Sequence, residues 1–229
     1  MKIRQWNDLP DNMRNKEVRK YYNILSGKSA WLILKRFFDI IVAFIMLAVL
    51  IIPMGIIAVM IKFDSPGPVF FRQERVTQYG RVFKIFKFRT MVNNANRLGT
   101  AVTVQGDARI TRTGKLLRKL RLDEFPQLFN ILAGDMTLVG TRPEVVKYVE
   151  QYTPQMMATL LLPAGLTSNT SIAYKDEDML LSNAENADDV YINEVLPAKM
   201  KYNLESLEKT GMLYDMKVLW NTFVSVLKK

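Results

Sequence analysis

The sequence predicts a mixed α/β, mostly helical domain with a re-entrant membrane helix-break-helix, amphipathic interfacial helices and one small β-hairpin. Three observations lead there. An apolar run contains an internal proline; apolar residues recur at helical spacing within basic stretches; and two aromatic-rich runs flank a Tyr-Gly pair.

Taken in order, residues 13–25 place Val18, Tyr21, Tyr22 and Leu25 at helical spacing among basic residues, so a helix ending at Ser26-Gly27 is expected to lie on a membrane surface, with a plain solvated helix as the alternative. Next, Ile40 to Ile61 gives 22 residues without a charge, enough for a membrane helix. Pro53 lies inside it, removes a backbone donor and predicts a kink. Both flanks are basic: residues 1–39 hold nine Lys/Arg against four Asp/Glu, and residues 62–89 seven against two. A simple span wants one basic flank. A helix that enters, bends at Pro53 and returns satisfies both facts, with Arg36, Asp39 and Lys62 near the interface; a straight helix tolerating its proline is the alternative.

Ser65-Pro66-Gly67-Pro68 ends that helix. Val69-Phe70-Phe71 and Val82–Phe88 read as two strands turning near Tyr79-Gly80. They carry Arg72, Arg75, Lys84, Lys87 and Arg89, a density that suggests an anionic ligand, although basic hairpins are also simply solvated. Residues 90–110 read as helix then loop. Gly114 to Leu122 is a basic amphipathic stretch, and Met216, Leu219, Phe223 and Val226-Leu227 give the tail helical spacing.

The charge balance, 32 Lys/Arg against 22 Asp/Glu, calls for an anionic partner. The long apolar run favours membrane lipids and phosphorylated substrates over nucleic acid. The chain has no Cys and no His, which excludes thiolate nucleophiles, imidazole bases and their metal sites. Catalysis must then run on carboxylates, hydroxyls, Lys or Arg, and any metal is expected to be a hard cation such as magnesium.

Leu122 to Asp135 is the most informative segment. Pro126 suits the first turn of a helix and Gly134 its stop, which sets Asp123 and Glu124 at the helix N-terminus behind Arg118 and Arg121. Acidic residues there are often plain caps. Without His or Cys, a carboxylate is also the natural covalent nucleophile for a phosphoryl group, and arginines can screen the approaching charge. In Gly140-Thr141-Arg142-Pro143, a turn bounded by Gly and Pro presents Arg142 to a phosphate. No P-loop or dinucleotide-binding glycine pattern is present.

Taken together, Lys35-Arg36-Phe37-Phe38-Asp39, the apolar run with Pro53, Phe71-Arg72-Gln73-Glu74-Arg75, Phe83–Met91, Thr113–Arg118, Leu122–Asn130 and Gly134–Pro143 resemble, in unbroken order over residues 35–150, the bacterial sugar transferase family. These are the monotopic phosphoglycosyl transferases that initiate capsule, exopolysaccharide, O-antigen and glycoprotein glycan assembly. The resemblance implies a helix re-entering the cytoplasmic leaflet of the inner membrane, kinked at Pro53. It implies a nucleophile at Asp123, assistance from Glu124, and magnesium at that pair. A UDP-sugar would leave its sugar phosphate on Asp123 with release of UMP, and a polyprenol phosphate, commonly undecaprenyl phosphate, would accept it. Arg118, Arg142, Lys87 and Arg89 are the candidate phosphate contacts. The corresponding domains are an interfacial extension (1–34), the membrane helix (35–62) and a cytoplasmic catalytic domain (63–229). Ile52 stands where the family has Ser before the proline, Thr141 where it has Pro, and Leu162–Ser168 where it has Arg-Pro-Gly-Ile-Thr-Gly, which opens the sugar's identity. The sugar, the glycan and the oligomeric state, homodimer included, stay open. A non-enzymatic basic scaffold on the membrane, or an inactive family member, is the competing class.

Overall fold

A computed structural model describes residues 1–95, 107–174 and 186–227, and most of the 90–110 segment read above as helix then loop lies outside them. The elements are α1 (Lys16–Ser26), α2 (Ser29–Asp64), β1 (Phe70–Val76), β2 (Val82–Phe88), α3 (Arg112–Lys119), α4 (Gln127–Ala133), β3 (Met136–Val139), α5 (Val146–Val149), β4 (Ala164–Thr167), α6 (Asn169–Ala173), α7 (Ala187–Val190), α8 (Leu196–Lys209) and α9 (Met212–Leu227). The described residues are thus mostly helical, with one antiparallel hairpin, as expected.

Helix α1 begins where Asn15 accepts a hydrogen bond from the Val18 amide and ends at Gly27. Its apolar stripe, Val18, Tyr21 and Leu25, does not face outward. It is buried against residues 158–162 and against Leu204 and Leu207 of α8. Membrane contact by that stripe is therefore replaced by a protein contact, because the C-terminal third of the chain supplies the apolar surface. The N-terminal extension shares a core with the body of the domain.

Helix α2 runs 36 residues with Pro53 inside it. Helical structure continues on both sides of the proline, where the carbonyl of Val49 loses its usual partner. Its buried residues, Leu32, Lys35, Asp39, Ala43, Leu47, Met54, Ile57 and Ile61, form one stripe along its length. That stripe joins Phe83, Ile85, Leu117, Leu128, Ile131 and Leu138 in the main core. The opposite face is apolar and open: Phe37, Phe44, Val49, Ile52, Ile56 and Phe63 are all more than half exposed. A soluble monomer rarely leaves so long an apolar surface uncovered.

Both ends of α2 are bonded to the same domain. At one end Arg36 donates to the carbonyls of Ile131 and Leu132, the C-terminal turn of α4. Lys35 pairs with Asp215 of α9 at 2.7 Å, and Asp39 accepts from Thr137 and from the Leu138 amide. At the other end Asp64 accepts from the Thr113 amide at 2.9 Å, at the start of α3. Arg36 and Asp39 are thus engaged by protein, and Asp39 is 1% exposed.

In the hairpin, Phe70 pairs with Phe88 and Val76 with Val82. The turn needs left-handed backbone at Tyr79 (φ 59°) and Gly80 (φ 77°). A second, parallel pair joins β3 to β4, with Met136 opposite Ala164 and Val139 opposite Thr167. It falls partly in the segment where the chain departs from the family pattern, so Leu162–Ser168 acts first as core framework.

Candidate active site

Asp123 and Glu124 sit in a 3-10 turn, Leu122–Glu124, between α3 and α4. This differs from the first helical turn expected: Pro126 precedes α4, whose first residue is Gln127. Arg121 reverses the chain before the pair with φ 58°, a left-handed conformation that costs a residue with a side chain about 1 kcal/mol or more. Gly134, at φ 88°, closes α4 as anticipated.

One buried amide aligns this turn with the hairpin. Asn130 of α4 accepts from the Phe86 amide at 2.8 Å and donates to the Lys84 carbonyl at 3.1 Å, so its side chain bonds the β2 backbone as a neighbouring strand would. Lys87, three residues beyond Lys84, then reaches Glu124 at 3.2 Å. Arg142 approaches the same carboxylate with both terminal nitrogens, Nη2 on Oε1 and Nη1 on Oε2. Such a two-pronged contact fixes both groups.

The turn that carries Arg142 is clamped by β4. Gly140 donates to the Thr167 carbonyl at 3.0 Å, and Gly165 donates to Thr141 at 2.7 Å. The two glycine backbones are so close that a Cβ on Gly165 would collide with Gly140.

Electrostatics separate the two carboxyls. Burial would raise that of Glu124, yet Arg142 and then Lys87 outweigh it and hold the group well below the usual range. Burial pushes the Asp123 carboxyl up, the neighbouring Glu124 pushes it further, and Lys87, Arg118 and Arg142 pull against them. Among the described residues no hydrogen bond reaches the Asp123 carboxylate. The structure therefore brings Lys87, Arg118 and Arg142 around the acidic pair. Arg89 is elsewhere: it donates to the carbonyls of Ser65 and Pro66 and stabilises the exit from α2. Nor do the hairpin cations form one cluster, since the Arg72 guanidinium lies 4.3 Å from the Phe86 ring centroid.

Two contributors to the site carry no signal of their own in the sequence, Asn130 and the Gly140–Gly165 contact, and a third, Arg75, was expected only among hairpin cations around an anion. Arg75 donates to the Pro143 carbonyl at 3.1 Å and thereby holds the Arg142 turn from the hairpin side. Its place within Phe71–Arg75 was the signal available for it. Among the described residues no third acidic side chain joins Asp123 and Glu124 in a cluster able to hold a metal.

With this geometry in view, comparison with known proteins is direct. The model of the bacterial sugar transferase family matches residues 30–229, and the chain belongs to that family. It is 35% identical over 197 residues to a UDP-N-acetylgalactosamine-undecaprenyl-phosphate N-acetylgalactosaminephosphotransferase of Aeromonas hydrophila, covering 85% of this chain and 44% of that protein. It is 32% identical over 209 residues to a UDP-glucose:undecaprenyl-phosphate glucose-1-phosphate transferase of Escherichia coli, covering 90% and 42%. A Caulobacter vibrioides protein with the same activity in its name is 31% identical over 196 residues, covering 84% and 69%. The chain thus spans less than half the length of the first two relatives.

Proposed function

We propose that this chain transfers a sugar 1-phosphate from a UDP-sugar to undecaprenyl phosphate or a similar polyprenol phosphate, at the cytoplasmic face of the bacterial inner membrane. This would be the first membrane step of a glycan assembly. The observation that carries the reading is the asymmetry of the acidic pair: Glu124 is clamped by Arg142 and Lys87, whereas Asp123 beside it accepts no hydrogen bond among the described residues. A clamped, ionised Glu124 is a poor proton donor. Its role is to hold the two cations in place.

In the first step an Asp123 oxygen attacks the sugar-bearing phosphorus of the donor. The bond from that phosphorus to the bridging oxygen breaks, and UMP leaves with the electron pair. Asp123 now carries the sugar phosphate as an acyl phosphate. In the second step an oxygen of the lipid phosphate attacks the same phosphorus, the bond to Asp123 breaks, and the carboxylate is regenerated. No net proton is taken up. Lys87, Arg118 and Arg142 screen the diphosphate as it approaches.

Two adjacent carboxylates fit magnesium, which is commonly held by one or two carboxylates, with water and substrate phosphates completing its shell. Asp123 and Glu124 would hold it, and it would supply charge neutralisation for the donor diphosphate.

The attachments of α2 support a monotopic arrangement. Residues 36–39 and residue 64 are bonded to one folded domain, so a span placing them on opposite sides of a bilayer would tear those contacts. The open apolar face then enters a single leaflet.

UMP release from a panel of UDP-sugars, with purified protein, magnesium and undecaprenyl phosphate, tests the reaction. One donor should release UMP, and Asp123→Asn should abolish release while leaving membrane binding intact. Turnover by that variant, or no sugar-phosphate adduct on the intact protein by mass, refutes the nucleophile. Tags at Met1 and Lys229 should be accessible from the same side; a membrane-protected Met1 tag beside an accessible Lys229 tag refutes the topology.

A further inference from the structure

Behind the Arg142 turn lies a buried charged triangle that the reaction above does not use. Glu144 is 6% exposed. Its Oε1 accepts from the Tyr191 hydroxyl at 2.7 Å and from Lys199 Nζ at 3.2 Å, and Lys199 also donates to the Tyr191 oxygen at 2.8 Å. Tyr191 opens a single π-helical turn, Tyr191–Val195, between α7 and α8. Such turns are rare and gather at functional sites. Tyr191 is buried, and its ring lies 4.5 Å, centroid to centroid, from that of Tyr148.

Glu144 is two residues from Arg142, and its backbone is held as firmly as its side chain. The Val76 amide donates to the Glu144 carbonyl at 2.9 Å, next to the bond from Arg75 to Pro143. The turn is therefore gripped by the hairpin on one side, by β4 on another and by α8 through Glu144. Burial would raise the Glu144 carboxyl, but Lys199 and Arg75 hold it below its ordinary range, so it stays ionised. A buried carboxylate stripped of its cation is left uncompensated, and it either takes up a proton or draws another cation toward it. Arg142 and Arg75 are the other cations within its electrostatic reach.

We infer that Glu144, saturated by Tyr191 and Lys199, is a positioning residue that keeps Arg142 aimed at the acidic pair and the donor diphosphate. The inference rests on Arg142 being a donor-phosphate contact. Lys199 matters because it satisfies Glu144: without it, Glu144 draws Arg142 back, away from Glu124. The π-helical turn then has a use, which is to bring a hydroxyl to Glu144 from a segment some 50 residues away.

The test is the affinity of the full-length protein for UDP by calorimetry, beside UMP release, in Glu144→Gln, Tyr191→Phe, Lys199→Met and the Glu144→Gln/Lys199→Met pair, with Arg142→Ala setting the floor. Lys199→Met should weaken UDP binding about tenfold or more, as when one charge-assisted contact is misaligned. The double variant should recover most of that loss, because no stray carboxylate remains to capture Arg142. Tyr191→Phe, which keeps its ring on Tyr148, should fall in between. A packing role alone would leave the double variant no better than Lys199→Met, and that result overturns the inference, as does wild-type affinity in Lys199→Met. Affinity indifferent to Arg142→Ala removes Arg142 from the donor site and the inference with it. Arg142-dependent UDP binding without UMP release from any UDP-sugar defeats the proposed reaction and leaves the positioning role standing.

Discussion

Replacing Arg142 with Met should destabilise the protein in a way that depends on pH. The substitution keeps much of the side chain's length and removes the two-pronged contact with Glu124. Taking one partner from a fully buried pair costs about 3–5 kcal/mol. Here Arg142 is 31% exposed and Lys87 remains on the same carboxylate, so the cost should be about 2 kcal/mol. For a domain of this size that lowers the melting temperature by about 4–8 °C. The folded-state carboxyl of Glu124 is depressed, so its contribution is present above its unfolded value of 4.5 and is lost as pH falls through the folded value. In the variant the carboxyl rises, because Arg142, the largest pull against burial, is gone and only Lys87 and Arg121 remain. The penalty should therefore be full near pH 7 and fade below about pH 4.5, where the variant's Glu124 takes up a proton. Melts of purified protein in lipid nanodiscs at pH 7.5 and pH 4 measure both. A penalty equal at the two pH values, or none at pH 7.5, refutes the argument that Arg142 holds Glu124 ionised.

Three further outcomes follow from other contacts. Asn130→Ala strands the Phe86 amide and the Lys84 carbonyl, and should cost about 2–3 kcal/mol in chemical unfolding while lowering transfer, since Lys87 loses its alignment with Glu124. Gly165→Ala drives a methyl into the Gly140 backbone and should cost more than about 3 kcal/mol or prevent folding, read from the soluble yield and the melt; Leu166→Ala in the same strand serves as the milder comparison. Phe44→Glu with Ile56→Glu places charges on the open face of α2, where neither side chain supports the core, and should move the protein from membrane pellet to supernatant in sedimentation without lowering its melting temperature in detergent.

Much of this arrangement is legible in the chain, and what is not has physical reasons. The hairpin declares itself through aromatic strands and a turn whose Gly80 accepts left-handed backbone. Gly134 marks the end of α4 for the same reason. Helix α1 shows what amphipathicity leaves open: Val18, Tyr21 and Leu25 require a cover, but spacing cannot tell a bilayer from Leu204 and Leu207 of a distant helix. The parallel pair β3–β4 has no alternation to betray it, because all of Met136–Val139 is buried and Ala164-Gly165 carries almost no side chain. The basic residues of the hairpin look equivalent in sequence. The pleat and the end of the strand divide them, sending Lys87 to Glu124 and Arg89 to the carbonyls after α2. Asp123, Glu124 and Arg142 could be picked out because an adjacent acidic pair follows two arginines and Arg142 sits in a turn bounded by Gly and Pro. Their separation into a clamped Glu124 and an Asp123 that accepts no hydrogen bond among the described residues depends on Arg142, 18 residues further along, and on no local pattern.

A helix bonded at both ends and packed on either side of Pro53 cannot swing. The turn bearing Asp123 is joined through α3 and α4 to the two ends of α2, so that turn and the apolar face move as one body. On the reading proposed here, depth of insertion becomes a ruler. The enzyme would meet its two substrates at one altitude, to which the lipid phosphate is already confined and to which the nucleotide must descend. Anything that thickens or thins the leaflet would then shift the altitude of the reaction rather than the shape of the site.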